Sequence, residues 1–282
     1  IFFVFKNKMK FFVETYNSLI KNNSKELSTK IKWSSSLENY FQRKLIGAFS
    51  EKKISYTNFR PFTKKFHYKE KIFNHRLTQN HYDTFGYELD KENLLIGINV
   101  NGKTFDCLIS NRLLDLHYIG DCQYFSIYKY DQEGNRHDNI TDWGLRQFTS
   151  HYHNDKITKE DIFYYTYAVL HHPAYRKKYE LNLKREFPRL PFYDDFFKWV
   201  SWGKQLMELH INYETVAPFD LQVIDNTHLV KDKNYKLKVK LKADKVNNII
   251  AIDEHTLLLN IPETAWQYKL GNRSALEWVL DQ

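Results

Sequence analysis

Glycine and cysteine are scarce in this chain, with nine and two among 282 residues. So few glycines leave no phosphate-cradling loop and no dinucleotide-binding fingerprint. Cys107 and Cys122 have no metal-ligand spacing and make no disulfide framework, which favours a reducing cytoplasm. No apolar run approaches the roughly 20 residues of a membrane span. The opening IFFVF is too short for a signal peptide and lacks its layout. HExxH, GxSxG and paired CxxC motifs are also missing. No complete active site can be assembled from what remains. No catalytic residue, cofactor, metal or membrane partner is therefore expected for this chain. Position 1 is not Met and the sequence stops at Asp281–Gln282, so a piece of a longer polypeptide is expected.

What the chain has in quantity is cations and rings. Lys and Arg number 42 against 34 Asp and Glu, for a net charge of +8 and a pI near 9.1. Aromatics make up 17% of residues, with Tyr 20 and Phe 21. Cations meet phosphates and rings stack on bases, so the combination favours a polyanionic partner. An AT-rich coding sequence would by itself raise Lys, Asn, Ile, Phe and Tyr.

The periodicity predicts α+β architecture: a mixed, β-rich N-terminal part, then a helical part, then a small hairpin-and-helix region at the end. Lys8–Lys21 is helical in spacing, with Asn22–Asn23 ending it, and Leu37–Ile46 is a second helix after the Ser34–Ser36 run that could cap it. Lys52–Arg76 carries eight Lys or Arg against the single Glu70, interleaved with rings; Pro61 argues for short strands and turns. Leu94–Val100, Phe105–Ile109, Leu116–Ile119 and Phe125–Tyr130 are strand-like, with Asn101–Gly102 as a hairpin turn. Asp131–Asn154 is polar and is expected to be a long loop or boundary.

Thr158–Phe192 is the most ordered-looking stretch. Thr158 and Asp161 form an acidic capping box, with Ile157 and Ile162 as its hydrophobic staple. Pro173 breaks the helix at His171–His172 and starts a second one that stops before Pro188. On the second helix Tyr175, Tyr179, Leu183 and Phe187 form one stripe, with Lys177, Lys178, Lys184 and Arg185 opposite. His172–Leu190 holds six Lys or Arg against two Glu. Such a face is either solvated or bound to phosphates. Adjacent histidines at a helix break are more often capping or surface groups than metal ligands, and the same holds for His151 and His153. Asp194–Asp195 fit a helix start, running to Asn212, better than acid–base chemistry. Further on, lysines alternate with apolar residues over Tyr235–Lys242, the pattern of a lysine-blocked sheet edge. Asn248–Asp253 and Thr256–Ile261 read as a hairpin, and Pro262–Tyr268 and Ser274–Leu280 as short helices.

Three segments carry a resemblance. Phe59-Arg60-Pro61-Phe62, within Tyr56–Tyr68, resembles the stretch that follows the catalytic part of certain N6-adenine DNA methyltransferases. Asp161–Tyr165, His172-Pro173-Ala174-Tyr175-Arg176 and Phe187-Pro188-Arg189-Leu190-Pro191-Phe192 together are similar to the C-terminal specificity domain of type ISP restriction-modification enzymes. Tyr268-Lys269-Leu270-Gly271-Asn272-Arg273 through Trp278 resembles that family's terminal motif. The match runs from about Met9 to Gln282.

The resemblance implies a target recognition domain without the nuclease, ATP-driven translocase or adenine methyltransferase of the parent enzyme. The NPPY-like tetrapeptide and the S-adenosylmethionine loop are missing here, so S-adenosylmethionine, ATP and Mg are expected for the parent alone. Residues 1–50 would be a methyltransferase tail and helical linker, with Phe11–Asn17 in the tail. Residues 51–282 would be the recognition domain, with a sub-boundary near 131–157. Double-stranded DNA and the rest of the parent polypeptide are the expected partners. The expected DNA contacts are Arg60, Lys64, Lys65, Arg76, Arg176, Lys177, Lys178, Lys184, Arg185, Arg189, Lys269 and Arg273. The Ser110–Arg112 and Asp131–Asn154 loops are candidate base readers. A domain that only packs against the parent enzyme, and a divergent methyltransferase, are the alternatives.

Overall fold

The computed structural model describes residues 1–22, 29–99, 104–230, 236 and 238–281. It is a mixed α+β fold in which small antiparallel sheets surround a helical centre. The first helix, α1 (Phe2–Lys21), starts earlier than its periodicity predicts and buries Val13, Tyr16 and Ile20. Tyr16 meets Trp33, Phe41 and Phe73 edge-on or tilted, forming a small aromatic core. Ser34 caps α2 (Ser35–Gln42) by accepting from Leu37 N at 3.2 Å. That helix ends short of Ile46, with Lys44 in the left-handed region.

The first basic stretch forms a hairpin of β1 (Ile54–Arg60) and β2 (Thr63–Tyr68), turning at Pro61–Phe62. A short helix that periodicity did not reveal follows, α3 (Gln79–Phe85), capped by Thr78 together with the His81 imidazole. The central sheet has the order β4–β3–β5, with β3 (Leu95–Asn99) between β4 (Asp106–Ser110) and β5 (Cys122–Ser126). The predicted Asn101–Gly102 turn lies outside the described residues, as do Asn23 and Val100. Leu116–Ile119 is not a strand; it runs through turns that pack Tyr118 and Ile119 inward.

Two expectations around residue 130 are corrected. Phe125–Tyr130 is not one strand, because Ser126 ends β5 and β6 (Tyr128–Tyr130) pairs instead with β7 (Arg136–Asp138). The Asp131–Asn154 stretch is not a loop, since it holds β7 and α4 (Asp142–Tyr152), which Thr141 caps. Phe148 of α4 is buried and Leu145 and Tyr152 pack beside it, a helical spacing that the polar residues around it obscure.

The centre of the molecule is α5 (Lys159–His171) lying against α8 (Phe196–Ile211), with the sheet beneath them. The capping box forms as predicted: Thr158 and Asp161 exchange bonds of 2.9 and 3.1 Å. Ile157 and Ile162 are both buried. After the break at Pro173 the second helix is not continuous: α6 (Pro173–Lys178) and α7 (Glu180–Leu183) are separated by Tyr179. That re-aiming buries Tyr175 and Leu183 but leaves Phe187, predicted on the same stripe, 52% exposed. The α8 helix starts from Asp195, whose backbone is left-handed and whose side chain makes no cap bond.

The C-terminal sheet has the order β8–β11–β10–β9, from β8 (Gln222–Asp225), β9 (Lys242–Asp244), β10 (Ile249–Ala251) and β11 (Thr256–Leu259). It contains the predicted hairpin, with Ile250 opposite Leu258. The lysine alternation lies partly outside the described residues. Where described, Val239 and Leu241 are exposed along with the lysines, so no apolar face forms before Lys242. The chain closes with α9 (Glu263–Gln267), the two-residue strands β12 (Lys269–Leu270) and β13 (Arg273–Ser274), and α10 (Ala275–Leu280).

At Gly203 α8 comes so close to α5 that a Cβ would overlap the Tyr164 carbonyl. That atom belongs to helix backbone and cannot swing aside. Gly203→Ala should therefore part the two helices and lower stability by roughly 1–3 kcal/mol, read as a lower urea midpoint.

Candidate nucleic-acid interface

The β1–β2 hairpin presents cations on an aromatic support. The Phe59 ring lies 4.1 Å from the Arg60 guanidinium and 3.6 Å from the Lys65 ammonium. Arg60 also bonds Asp115 and the Phe59 carbonyl, both at 2.6 Å. Lys64 pairs with Glu214 at 2.8 Å and sits over the Tyr213 ring. At the turn Phe62, held in the left-handed region, packs edge-on against His210 and Tyr213. The hairpin is fixed from behind by the segment after β4: Asn58 N donates to Leu113 O, and Asp115 N donates to Asn58 O, each at 3.0 Å. This segment brings in Arg112, which the sequence singled out only as part of a loop. Its guanidinium lies 5.9 Å over the Tyr56 ring.

The second group lies on α6, α7 and the turn after them. Lys177, Lys178 and Arg185 are exposed and pair with no carboxylate among the described residues. Lys184 is tied to Glu180 at 2.6 Å and Arg189 to Glu186 at 3.2 Å. Arg176 is turned inward: its Nε donates to Leu170 O at 2.5 Å and its guanidinium lies over Phe105. Of the remaining predicted contacts, Lys269 is exposed, as is Arg76, whose backbone is left-handed. Arg273 is half-buried between Asp281 and the Trp278 ring. The structure thus sets Arg60 and Lys65 against Phe59, Lys64 against Tyr213 and Arg112 over Tyr56 along the hairpin, and places Lys177, Lys178, Lys184, Arg185 and Arg189 separately on the ledge and the turn after it.

Beneath Arg176 lies a buried polar cluster. The Tyr167 hydroxyl accepts from Ile109 N at 3.0 Å, so its proton points to His210 Nδ1 at 2.6 Å. His210 is therefore neutral, with its hydrogen on Nε2. Burial and then the Arg176 charge push His210 down to about 4. Burial, Arg176 and His210 hold His171 well below the usual range. His171 packs on Tyr167 and His210, whereas His172 packs on Tyr193 and Trp199, so the adjacent histidines do not converge. No group of three or more potential metal ligands forms among the described residues. No helix among them is long and apolar enough to cross a membrane.

Cations thus gather on an aromatic-backed hairpin and on a short helical ledge, over a buried polar cluster. The chain belongs to the Type ISP C-terminal specificity domain family, whose model matches residues 4–282. It is similar to a chain of a solved DrdV–DNA complex, with 36% identity, a TM-score of 0.87, and coverage of 98% of this chain and 28% of that one. A nuclease-deletion mutant of the Type ISP restriction-modification enzyme LlaGI, solved with a DNA substrate mimic, is 32% identical with a TM-score of 0.76. That match covers 98% of this chain and 26% of that one. The ATP-dependent Type ISP enzyme LlaBIII, solved bound to DNA, is 28% identical with a TM-score of 0.80, over 98% of this chain and 18% of that one. The chain thus spans between 18% and 28% of the length of these relatives. No curated protein matches it.

The buried histidine sets a pH dependence. Unfolded, His210 takes up a proton near pH 6.5; folded, it does so only near 4. The unfolded chain therefore binds more protons between these values, and stability is full above about 6.5 and falls as pH drops toward 4. The expected loss at pH 4 is about 2–3 kcal/mol from this residue. His210→Gln should flatten that part of a plot of urea midpoint against pH.

Proposed function

We propose that this chain is the target recognition module of a restriction-modification enzyme. It binds a short double-stranded DNA site sequence-specifically and orients the parent's N6-adenine methyltransferase and nuclease on it. The observation that carries the reading is the pairing of family membership with two cationic surfaces that survive folding. On the hairpin Lys65 is exposed while Arg60 and Lys64 are partly buried in ion pairs, and on the ledge Lys177, Lys178 and Arg185 are exposed; these cations meet phosphates and set register. Side chains on neighbouring loops then read base edges in the major groove, where each base pair has its own donor and acceptor pattern. Catalysis belongs to the rest of the parent polypeptide, as do S-adenosylmethionine, ATP and Mg. The module itself carries no catalytic residue and works in the cytoplasm.

One surface favours a second, compatible role. On α1, Phe3 is 70% exposed, Val4 56% and Phe11 53%. Apolar side chains in such a row suit packing against the rest of the parent enzyme.

Replacing Lys177, Lys178 and Arg185 together by Ala tests the ledge. Duplex affinity should fall for every sequence alike, and the slope of log affinity against log salt should drop by about 0.9 for each phosphate that is no longer neutralised. Unchanged affinity and slope would take α6–α7 out of the interface.

A further inference from the structure

Resting on the recognition reading, we infer that Arg112 reads a guanine, held in place by a turn built on Ser110. Ser110 is 1% exposed, unusual for a hydroxyl at the end of a strand. Its Oγ accepts from Asn58 Nδ2 at 2.7 Å and from Arg112 N at 3.0 Å, and donates to Arg112 O at 2.9 Å. Asn58 lies on β1, so one hydroxyl locks the backbone of Arg112 to the basic hairpin. Thr57 adds a second tie, donating from Oγ1 to Leu113 O at 2.6 Å. A base reader needs this kind of support, because its rotamer has to be set before the nucleic acid arrives.

The side chain differs from those of the other arginines nearby. Arg60 is neutralised by Asp115, and Arg176 is turned into the core. Arg112 buries its Nε without a partner, while its two terminal amino groups meet no acceptor among the described residues. Its Nε is buried and its guanidinium lies over Tyr56, on the hairpin that also carries Arg60, Lys64 and Lys65. Those neighbours supply backbone contacts. A fixed guanidinium with unused donors matches the O6 and N7 acceptors of guanine in the major groove. The neighbouring Asn111 is exposed.

The test selects the preferred duplex of the wild-type chain from a randomised pool, then substitutes each base pair in turn. Affinities are measured for the wild-type chain and Arg112→Ala. The wild-type chain should discriminate against loss of one G·C pair by about 10- to 100-fold. Arg112→Ala should lose that factor while binding the duplex that lacks the pair nearly as the wild type does, with the salt slope unchanged. Arg112→Met keeps the stem on Tyr56 and should give the same result if the alanine variant unfolds. A uniform loss over all duplexes with a lower salt slope would make Arg112 a phosphate contact and overturn the assignment. So would unaltered discrimination. If the wild-type chain itself selects no sequence, the recognition reading falls, and this inference with it.

Discussion

Buried carbonyl groups must find donors, and the stretch Arg189–Tyr193 cannot supply its own. Pro188 and Pro191 lack N–H groups and keep the segment out of helix and ladder alike. Tyrosine hydroxyls from the surrounding helices fill the gap. Tyr165 donates to Pro191 O at 2.6 Å and accepts from Tyr193 N at 2.8 Å. Tyr175 reaches Arg189 O at 3.0 Å, and Tyr152 reaches Tyr193 O at 2.7 Å. These bonds join α4, α5 and α6 to the segment that leads into α8. The ledge with Lys177, Lys178 and Arg185 is mounted on that frame, and the close α5–α8 contact at Gly203 completes it.

The same bonds change the meaning of the aromatic content. Rings in such number pointed toward base stacking when only composition was in view. Tyr16, Tyr165, Tyr167 and Tyr175 are instead among the most deeply buried side chains in the molecule. Each carries enough apolar area to build a core; the hydroxyls of Tyr165 and Tyr175 satisfy backbone where regular structure is missing, and that of Tyr167 accepts from Ile109 N on β4. The motif residues behave alike. In the HPAYR segment Tyr175 and Arg176 face inward, and in the terminal motif Gly271 N donates to Asp106 while Trp278 Nε1 donates to Leu270 O at 2.8 Å. The residues that made the family resemblance legible are largely those that hold the scaffold together.

Legibility followed the physics of each signal. The Thr158 capping box, the Ile157–Ile162 staple and the Pro173 break are local in sequence, and all three formed as predicted. Helix α4 was missed because it is held by long-range contacts, Phe148 and Leu145 in the core and the Tyr152 hydroxyl on Tyr193 O, inside a stretch that is otherwise polar. The second helix was predicted too long because spacing cannot show that Tyr179 leaves helical geometry to bring Leu183 into the core. Charge was harder still. Composition counts cations but not their partners, and Asp115 and Glu214 lie 55 and 150 residues from the cations they pair with.

Pairing does not remove Arg60 and Lys64 from the proposed interface; it changes the part they would play in it. An ion pair at a half-exposed site is weak, because water screens it and two side chains lose freedom in making it. Asp115 and Glu214 can therefore hold the two cations in one place at small energetic gain, and a phosphate can compete for them. Lys177, Lys178 and Arg185 have no such partner among the described residues and would give their full charge, but with less control of position. On the proposed reading, partly neutralised cations on the hairpin set register and the exposed cations on the ledge set strength. On that reading a module that aligns other domains on a defined base pair needs both, and the register-setting cations lie on the hairpin against which Arg112 rests.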